Sequence, residues 1–306
     1  MTEIALDVSR PTRAFSFRRL AAAHPFVAFF AIAFAGTWLL DLPIVLSSNG
    51  LGVFQYSLPL AVTIPLFILS VYAGPTLGAL LVTNALEGRA GMAHLLRRYA
   101  LWKVGIVWYA VVVFAYPLLY LIAASIALRG VPLADLQANW LTFFTVYLPA
   151  LLVFPAFITW GEEPGWRGFA LTRMQERYGP LLAAVVVGLL HGVWHLPVFL
   201  MVSLPMALGP FEVTGFVVNT LSIVVISIIW TWVFNNARES ILIAVLLHAS
   251  SNATGIWMAK LLPNIPDEAG YIILGVYIGL AVLLLIITRG RLAYRSGKSE
   301  RPDEVR

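Results

Sequence analysis

The sequence predicts an all-α fold, a polytopic transmembrane helix bundle of about eight spans with both termini cytoplasmic, on three observations. Of its 306 residues, 60% are hydrophobic and only 11% charged, where a soluble globular chain carries about 25% charged residues. The apolar residues arrive in blocks of roughly 20, enough to cross about 30 Å of hydrocarbon. Finally, 18 of the 20 Lys and Arg residues fall on one side when the blocks are counted as alternating crossings, as expected if positive charge stays in the cytoplasm.

Residues 1–25 read as a cytoplasmic tail. Their arginines, Arg10, Arg13, Arg18 and Arg19, precede an apolar run longer than a signal-peptide core and without a convincing cleavage site. Residues 26–288 read as the transmembrane domain, with spans at about 26–47, 58–86, 104–128, 141–161, 180–203, 213–234, 241–259 and 270–288. Pro65, Pro75, Pro117, Pro155 and Pro197 are expected to kink or interrupt these helices, each lacking an N–H and crowding the preceding turn. The stretch GPTLG, 74–78, has the small-residue spacing that lets helices approach closely. GFALTRMQERYG, 168–179, reads as a separate amphipathic helix along the interface after span four. Residues 289–306 read as a basic cytoplasmic tail. Only Arg129 and Lys260 fall on the opposite side.

The composition also excludes some functions. The chain has no cysteine, which removes disulfides, thiolate catalysis, haem attachment and iron–sulfur ligation. The net charge of +5 comes from residues flanking the spans, so anionic lipids at the cytoplasmic face, and no nucleic acid, are the expected partners. The expected localisation is the cell (plasma) membrane, multi-pass.

With charge so scarce, ionisable groups near or within spans are the functional candidates. They are Asp41, Glu162, Glu163, Arg167, His191, His195, Glu212, Arg238, Glu239 and His248, with Asn252 as an amide partner. WGEEPGWRG, 160–168, sets two carboxylates side by side. Glu163 and Arg167, four apart, can pair on one helical face. An ion pair capping span four would have the same spacing, but Arg167 answers only one carboxylate. Pro164 and Gly165 suggest a helix break and restart, whose free N–H groups would favour the carboxylates. HGVWHLP places His191 and His195 on one face of span five; HASSN places His248 and Asn252 on one face of span seven. Each pair alone could be a helix contact. Together with the Glu pair they form a set able to activate water and stabilise an oxyanion. No GxSxG surrounds Ser250 or Ser251, and HExxH is absent, so activated water is favoured over an acyl-enzyme and metal assistance stays open.

These three motifs resemble those of the CPBP family of intramembrane endopeptidases, also called the Abi or CAAX-protease family, related to the type II CAAX prenyl endopeptidases. The family pattern is EExxxR, then aromatic-xxx-His, then His-xxx-Asn. EEPGWR and HASSN match fully. HGVWHLP aligns His195 with the family histidine and puts His191 where the aromatic usually stands, as a supporting, metal-binding or packing residue. The motif core covers 140–260. The resemblance implies an endopeptidase in which Glu162, assisted by His195, activates water, His248 and Asn252 stabilise the oxyanion, and Glu163 with Arg167 supports them. Zn is a candidate cofactor, with Glu162, His195 and His248 as candidate ligands, beside a metal-free glutamate mechanism. The implied substrate is a membrane-associated or lipidated peptide or protein, and the site is expected to open to the cytoplasm. A membrane transporter and a non-enzymatic bacteriocin-immunity or scaffold protein are the alternatives, since buried Glu and His also build proton relays.

Overall fold

The computed structural model describes residues 16–202, 211–266 and 268–295. Arg10, Arg13, Lys298, Arg301 and Arg306 lie outside the described residues. The described chain is helical without strands, because backbone N–H and C=O groups in hydrocarbon must be bonded within the segment. Its helical elements are α1 (Phe17–Ala23), α2 (Pro25–Leu46), α3 (Leu60–Tyr99), α4 (Ile106–Ala127), α5 (Leu133–Asn139), α6 (Phe143–Tyr178), α7 (Pro180–Phe199), α8 (Val213–Asn236), α9 (Ile241–Leu261) and α10 (Ala269–Thr288). All except α1 and α5 are long and apolar enough to cross a membrane, giving the eight expected crossings among the described residues. The stretch expected as an N-terminal tail contains α1, which packs Ala21 into the bundle while Arg18 and Arg19 stay exposed.

Charges and contacts sort the two ends. At the basic end, Arg98 donates to the carbonyls of Gly168 and Glu239, Arg173 pairs with Glu87, and Asn235 donates to the Leu292 carbonyl. At the other end Asn139 donates to the Leu261 carbonyl, and Trp257 donates to Thr142. Trp102, 61% exposed, lies at the basic end and Trp140, 58% exposed, at the other, where amphipathic rings favour the membrane–water boundary.

Helices α3 and α6 outrun their expected lengths. α3 carries on past residue 86 through Gly88, whose φ of 62° is non-helical and re-aims the final turns. In α6 the break expected at Pro164–Gly165 does not occur. Glu163 (φ −62°, ψ −30°) and Pro164 (φ −59°, ψ −35°) are both helical, and 168–179 continues the same helix rather than forming a separate one. The reason is local: Pro155–Thr159 and Pro164–Leu171 are π-helical, and the wider i→i+5 turn accommodates a proline ring and its missing N–H. No helix N-terminus therefore sits behind the carboxylates, and that part of the case for their position falls away. Pro65 and Pro117 are carried inside their helices, whereas before Pro197 the helix does loosen, at His195 (φ −73°, ψ −3°).

The small residues near Pro75 dock against the motif in α6. A Cβ on Gly165 would lie 2.5 Å from the Pro75 Cβ and 2.6 Å from its carbonyl oxygen, so only glycine allows this approach. Thr76 Oγ1 donates to the Gly161 carbonyl at 2.8 Å across the same seam. The seam fixes the height of Glu162 and Glu163 against α3.

Candidate active site

Helices α6, α7 and α9 bring the three motifs together. Glu162 and Glu163 are 3% and 0% exposed, and Arg167 is 1% exposed. They belong to two linked groups.

In the first, Glu162 Oε2 lies 2.8 Å from His191 Nε2. Arg167 Nη1 lies 3.4 Å from His191 Nδ1; since a guanidinium only donates, Nδ1 accepts and Nε2–H donates to Glu162. One turn on, His195 Nδ1–H donates to the His191 carbonyl at 2.9 Å, which leaves its Nε2 lone pair available. Glu162, His191 and His195 each offer a ligand atom within 4.8 Å of the other two, a group that could hold a metal ion.

In the second, Glu163 Oε1 accepts from Arg167 Nη1 at 2.9 Å and from His248 Nδ1 at 2.8 Å. The carboxylate thereby sets the His248 tautomer and ring angle, a common supporting arrangement for a working imidazole. Arg167 Nε and Nη2 and Glu163 Oε2 are buried without a partner among the described residues.

Both groups meet one cavity of about 880 Å³. Glu162, Arg167, His191, His195, His248 and Asn252 all line it. Its remaining walls are largely apolar: Ile64 and Phe67 of α3, Phe154 and Phe157 of α6, Ile226 of α8 and Ile273 of α10. Ile64, Gly255 and Ile273 lie toward the helix ends opposite the basic end. The chamber thus runs from the carboxylates into the apolar depth of the bundle.

Residues 139–254 match the family model described as "Type II CAAX prenyl endopeptidase Rce1-like". A stretch of 108 residues is 32% identical to CAAX prenyl protease 2 of Methanococcus maripaludis, covering 35% of this chain and 40% of that relative. The motif core is thus similar to the type II CAAX prenyl endopeptidases. The match spans less than half of the relative's length, and the family model covers all three polar motifs of this chain.

Within this motif core His191, for which the resemblance leaves a supporting, metal-binding or packing place open, is in direct contact with Glu162. The metal-capable group contains His191 in the place expected for His248, whose Nδ1 faces Glu163 instead. Four of the other ionisable candidates lie elsewhere. Asp41 is buried in α2, Glu212 precedes α8, and Arg238 and Glu239 form the turn between α8 and α9.

The aromatic surround goes beyond anything expected from the motifs. Trp166 stacks on His191 at 4.6 Å between ring centroids, and Trp230 of α8 lies 4.5 Å from the Arg167 guanidinium and 5.0 Å from the His248 ring. Trp230 Nε1 in turn donates to Tyr116. The one signal available in the sequence is Trp166, inside the EExxxR motif; Trp230 lies in an apolar run with nothing to distinguish it.

Proposed function

We propose that the protein is an intramembrane endopeptidase that hydrolyses peptide bonds of membrane-associated or lipidated substrates with water activated by Glu162. One observation carries this reading: a carboxylate held by His191, and an imidazole–carboxylate–guanidinium set, share the wall of one largely apolar cavity.

The geometry supports a division of labour. Glu162 removes a proton from water as the water oxygen attacks the scissile carbonyl carbon, with the His195 Nε2 lone pair placed to accept the second water hydrogen. Asn252 donates to the developing oxyanion from its amide, and His248 does so in its protonated form, whose charge Glu163 balances at Nδ1. The proton on Glu162 then passes to the leaving nitrogen, the C–N bond breaks, and a carboxylic acid and an amine result. Arg167 donates to the Glu163 carboxylate and, through His191 Nδ1, keeps the His191 proton directed at Glu162.

Glu162, His191 and His195 suit a divalent metal in donor type, and two carboxylates against one guanidinium leave the cluster short of positive charge. Zinc held by these three would supply Lewis acidity to water or carbonyl, and His191 would first give up the hydrogen bond that it donates to Glu162. The apolar chamber suits a lipid chain beside the peptide. By the positive-inside rule the basic end faces the cytoplasm, the side from which we place peptide access, and the plasma membrane is the proposed location.

The test is cleavage of a peptide with an isoprenylated cysteine near its C-terminus by purified protein in lipid nanodiscs. Glu162→Gln should abolish cleavage, and His248→Ala should lower kcat by about 100-fold or more, the usual loss for an oxyanion donor. Equal cleavage by parent and variants would overturn the mechanism. Solute flux in liposomes without any cleavage would favour a transporter.

A further inference from the structure

We infer that Trp38 of α2 is a positioning residue for His195: its indole N–H holds a backbone carbonyl that the loosened turn of α7 leaves without a helical partner. It thereby fixes the turn from which the His195 ring faces Glu162; on the reading of Glu162 and His195 as the pair that activates water, this sets the geometry of the proton transfer. Trp38 lies outside residues 139–254, which carry the family match, and outside all three polar motifs.

The loosened turn creates the need. In a regular helix each N–H donates to the carbonyl four residues earlier. Around Pro197 the bonds shorten by one residue: His195 N–H donates to the Gly192 carbonyl at 3.2 Å, and Val198 N–H to the His195 carbonyl at 2.9 Å. The carbonyls of His191 and Trp194 lose the donors that regular geometry would give them, and both find side chains instead. The first accepts from His195 Nδ1 at 2.9 Å, the second from Trp38 Nε1 at 3.0 Å. A carbonyl at membrane depth without a donor is costly, so the backbone turn that aims His195 depends on a donor supplied by α2.

Trp194 is held by α2 through its side chain as well. Its own indole N–H donates to the Ala33 carbonyl at 3.2 Å, on the same helix as Trp38. Trp194 is 3% exposed, and its ring centroid lies 5.0 Å from that of His195 and 5.9 Å from that of His191. A shift of Trp194 is therefore passed to both imidazoles.

Such a hold aims a ring only if α2 is itself fixed relative to Glu162. Thr37 Oγ1, next to Trp38, donates to the Ser70 carbonyl of α3 at 2.8 Å. A Cβ on Gly36 would collide with the Ala73 carbonyl, so the two backbones touch at this level. Helix α3 is in turn seated on α6 through Pro75 and Gly165, and through Thr76 and Gly161. Glu162 and His195 are thus both referenced to the α2–α3 pair, and their ligand atoms come within 4.8 Å of each other. Misplacing a reacting group by about 1 Å from a distant position can cost about 100-fold in rate.

The test sets the N–H against ring volume, using full chains in lipid nanodiscs and the isoprenylated peptide. Trp38→Phe keeps an aromatic ring and removes the donor; Trp38→His keeps an N–H at the same place in a five-membered ring and removes volume. Trp38→Phe should lower kcat about 10- to 100-fold with KM within about twofold of the parent, and Trp38→His should recover most of the loss. A second measurement does not depend on cleavage. The chain has five histidines, and nitrogen-15 labelling of histidine reads the tautomer of each ring by magnetic resonance, the His195 signal being the one lost in His195→Ala. Trp38→Phe should convert the Nδ1–H form of His195 to a mixture of tautomers. Val45→Ala, which thins packing elsewhere on α2, should lower the unfolding temperature without moving that signal. If Trp38→His is the poorer of the two variants, or if the His195 signal in Trp38→Phe matches the parent, Trp38 serves packing alone and the inference is overturned. If the parent cleaves nothing while Trp38→Phe moves the His195 signal, the positioning role stands and the protease reading falls.

Discussion

Glu162 and Glu163 are chemically identical neighbours given different work by their partners. Glu163 answers a guanidinium and an imidazole at once, while the nearest hydrogen-bond partner of Glu162 is the His191 ring. Their neutral variants should therefore diverge. Glu163→Gln leaves Arg167 as a buried unpaired charge, and removing one partner from such a pair costs about 3–5 kcal/mol, so thermal unfolding in detergent should fall well below that of the parent, together with activity. Glu162→Gln removes a carboxylate from beside another and keeps an acceptor for His191 Nε2, so the protein should unfold at or above the parent temperature while cleavage is lost. Similar unfolding temperatures for the two variants would mean that the partners do not distinguish them. The three motifs are legible at this scale because ionisable residues are rare in the spans. The direct His191–Glu162 contact is not, since four-residue spacing puts both histidines of HGVWHLP on one face and cannot say which ring reaches across to α6.

The elements show how prolines are made compatible with a continuous helix that must deliver a motif at a set angle. Pro155, Pro164 and Pro75 each sit in a π-helical stretch, and the wider turn rotates the residues beyond it relative to a regular helix. Proline is legible in the sequence as a perturbation, but its spacing cannot tell a break from a π-turn, which is why α6 was expected to end near residue 161. Pro164→Ala restores the missing N–H and allows a regular turn, which would rotate Arg167 away from Glu163. Because that breaks the buried Glu163–Arg167 pair, the variant should unfold below the parent's temperature in detergent as well as lose most of its kcat. Gly165→Ala should do the reverse of a silent change: its Cβ meets the Pro75 carbonyl oxygen and Cβ, and overpacking against backbone costs about 1–3 kcal/mol, read as a lower unfolding temperature and poorer expression. If Gly165→Ala is as stable as the parent, the α3–α6 seam is looser than this packing requires.

For the whole molecule, the eight crossings are legible in the sequence, with boundaries good to within a few residues for six spans, because block length and flanking charge are set by bilayer thickness and not by tertiary contacts. The chamber is not legible, since it is made of ordinary apolar residues from several helices that no spacing connects. The absence of cysteine makes the orientation directly measurable. A single cysteine at Lys103 should react with a membrane-impermeant maleimide only from the cytoplasmic side, and one at Gly130 only from the opposite side; the reverse pattern would invert the bundle. The chamber makes a further demand on the substrate. Gly255 lines it on α9, and a Cβ placed there meets nothing within 4 Å, so the wall is open at that point. Leucine at 255 would fill part of the volume available to a lipid chain while leaving Glu162, His248 and their partners untouched. Each buried methylene contributes about 0.8 kcal/mol, so excluding the last few carbons of a long chain should raise KM for a long-chain substrate by tenfold or more. Gly255→Leu should leave kcat and KM for a short-chain or unlipidated peptide within about twofold of the parent, inside the roughly half-kilocalorie scatter of neutral substitutions. An equal change for both substrates would show that the chain binds elsewhere and that the chamber serves the peptide alone.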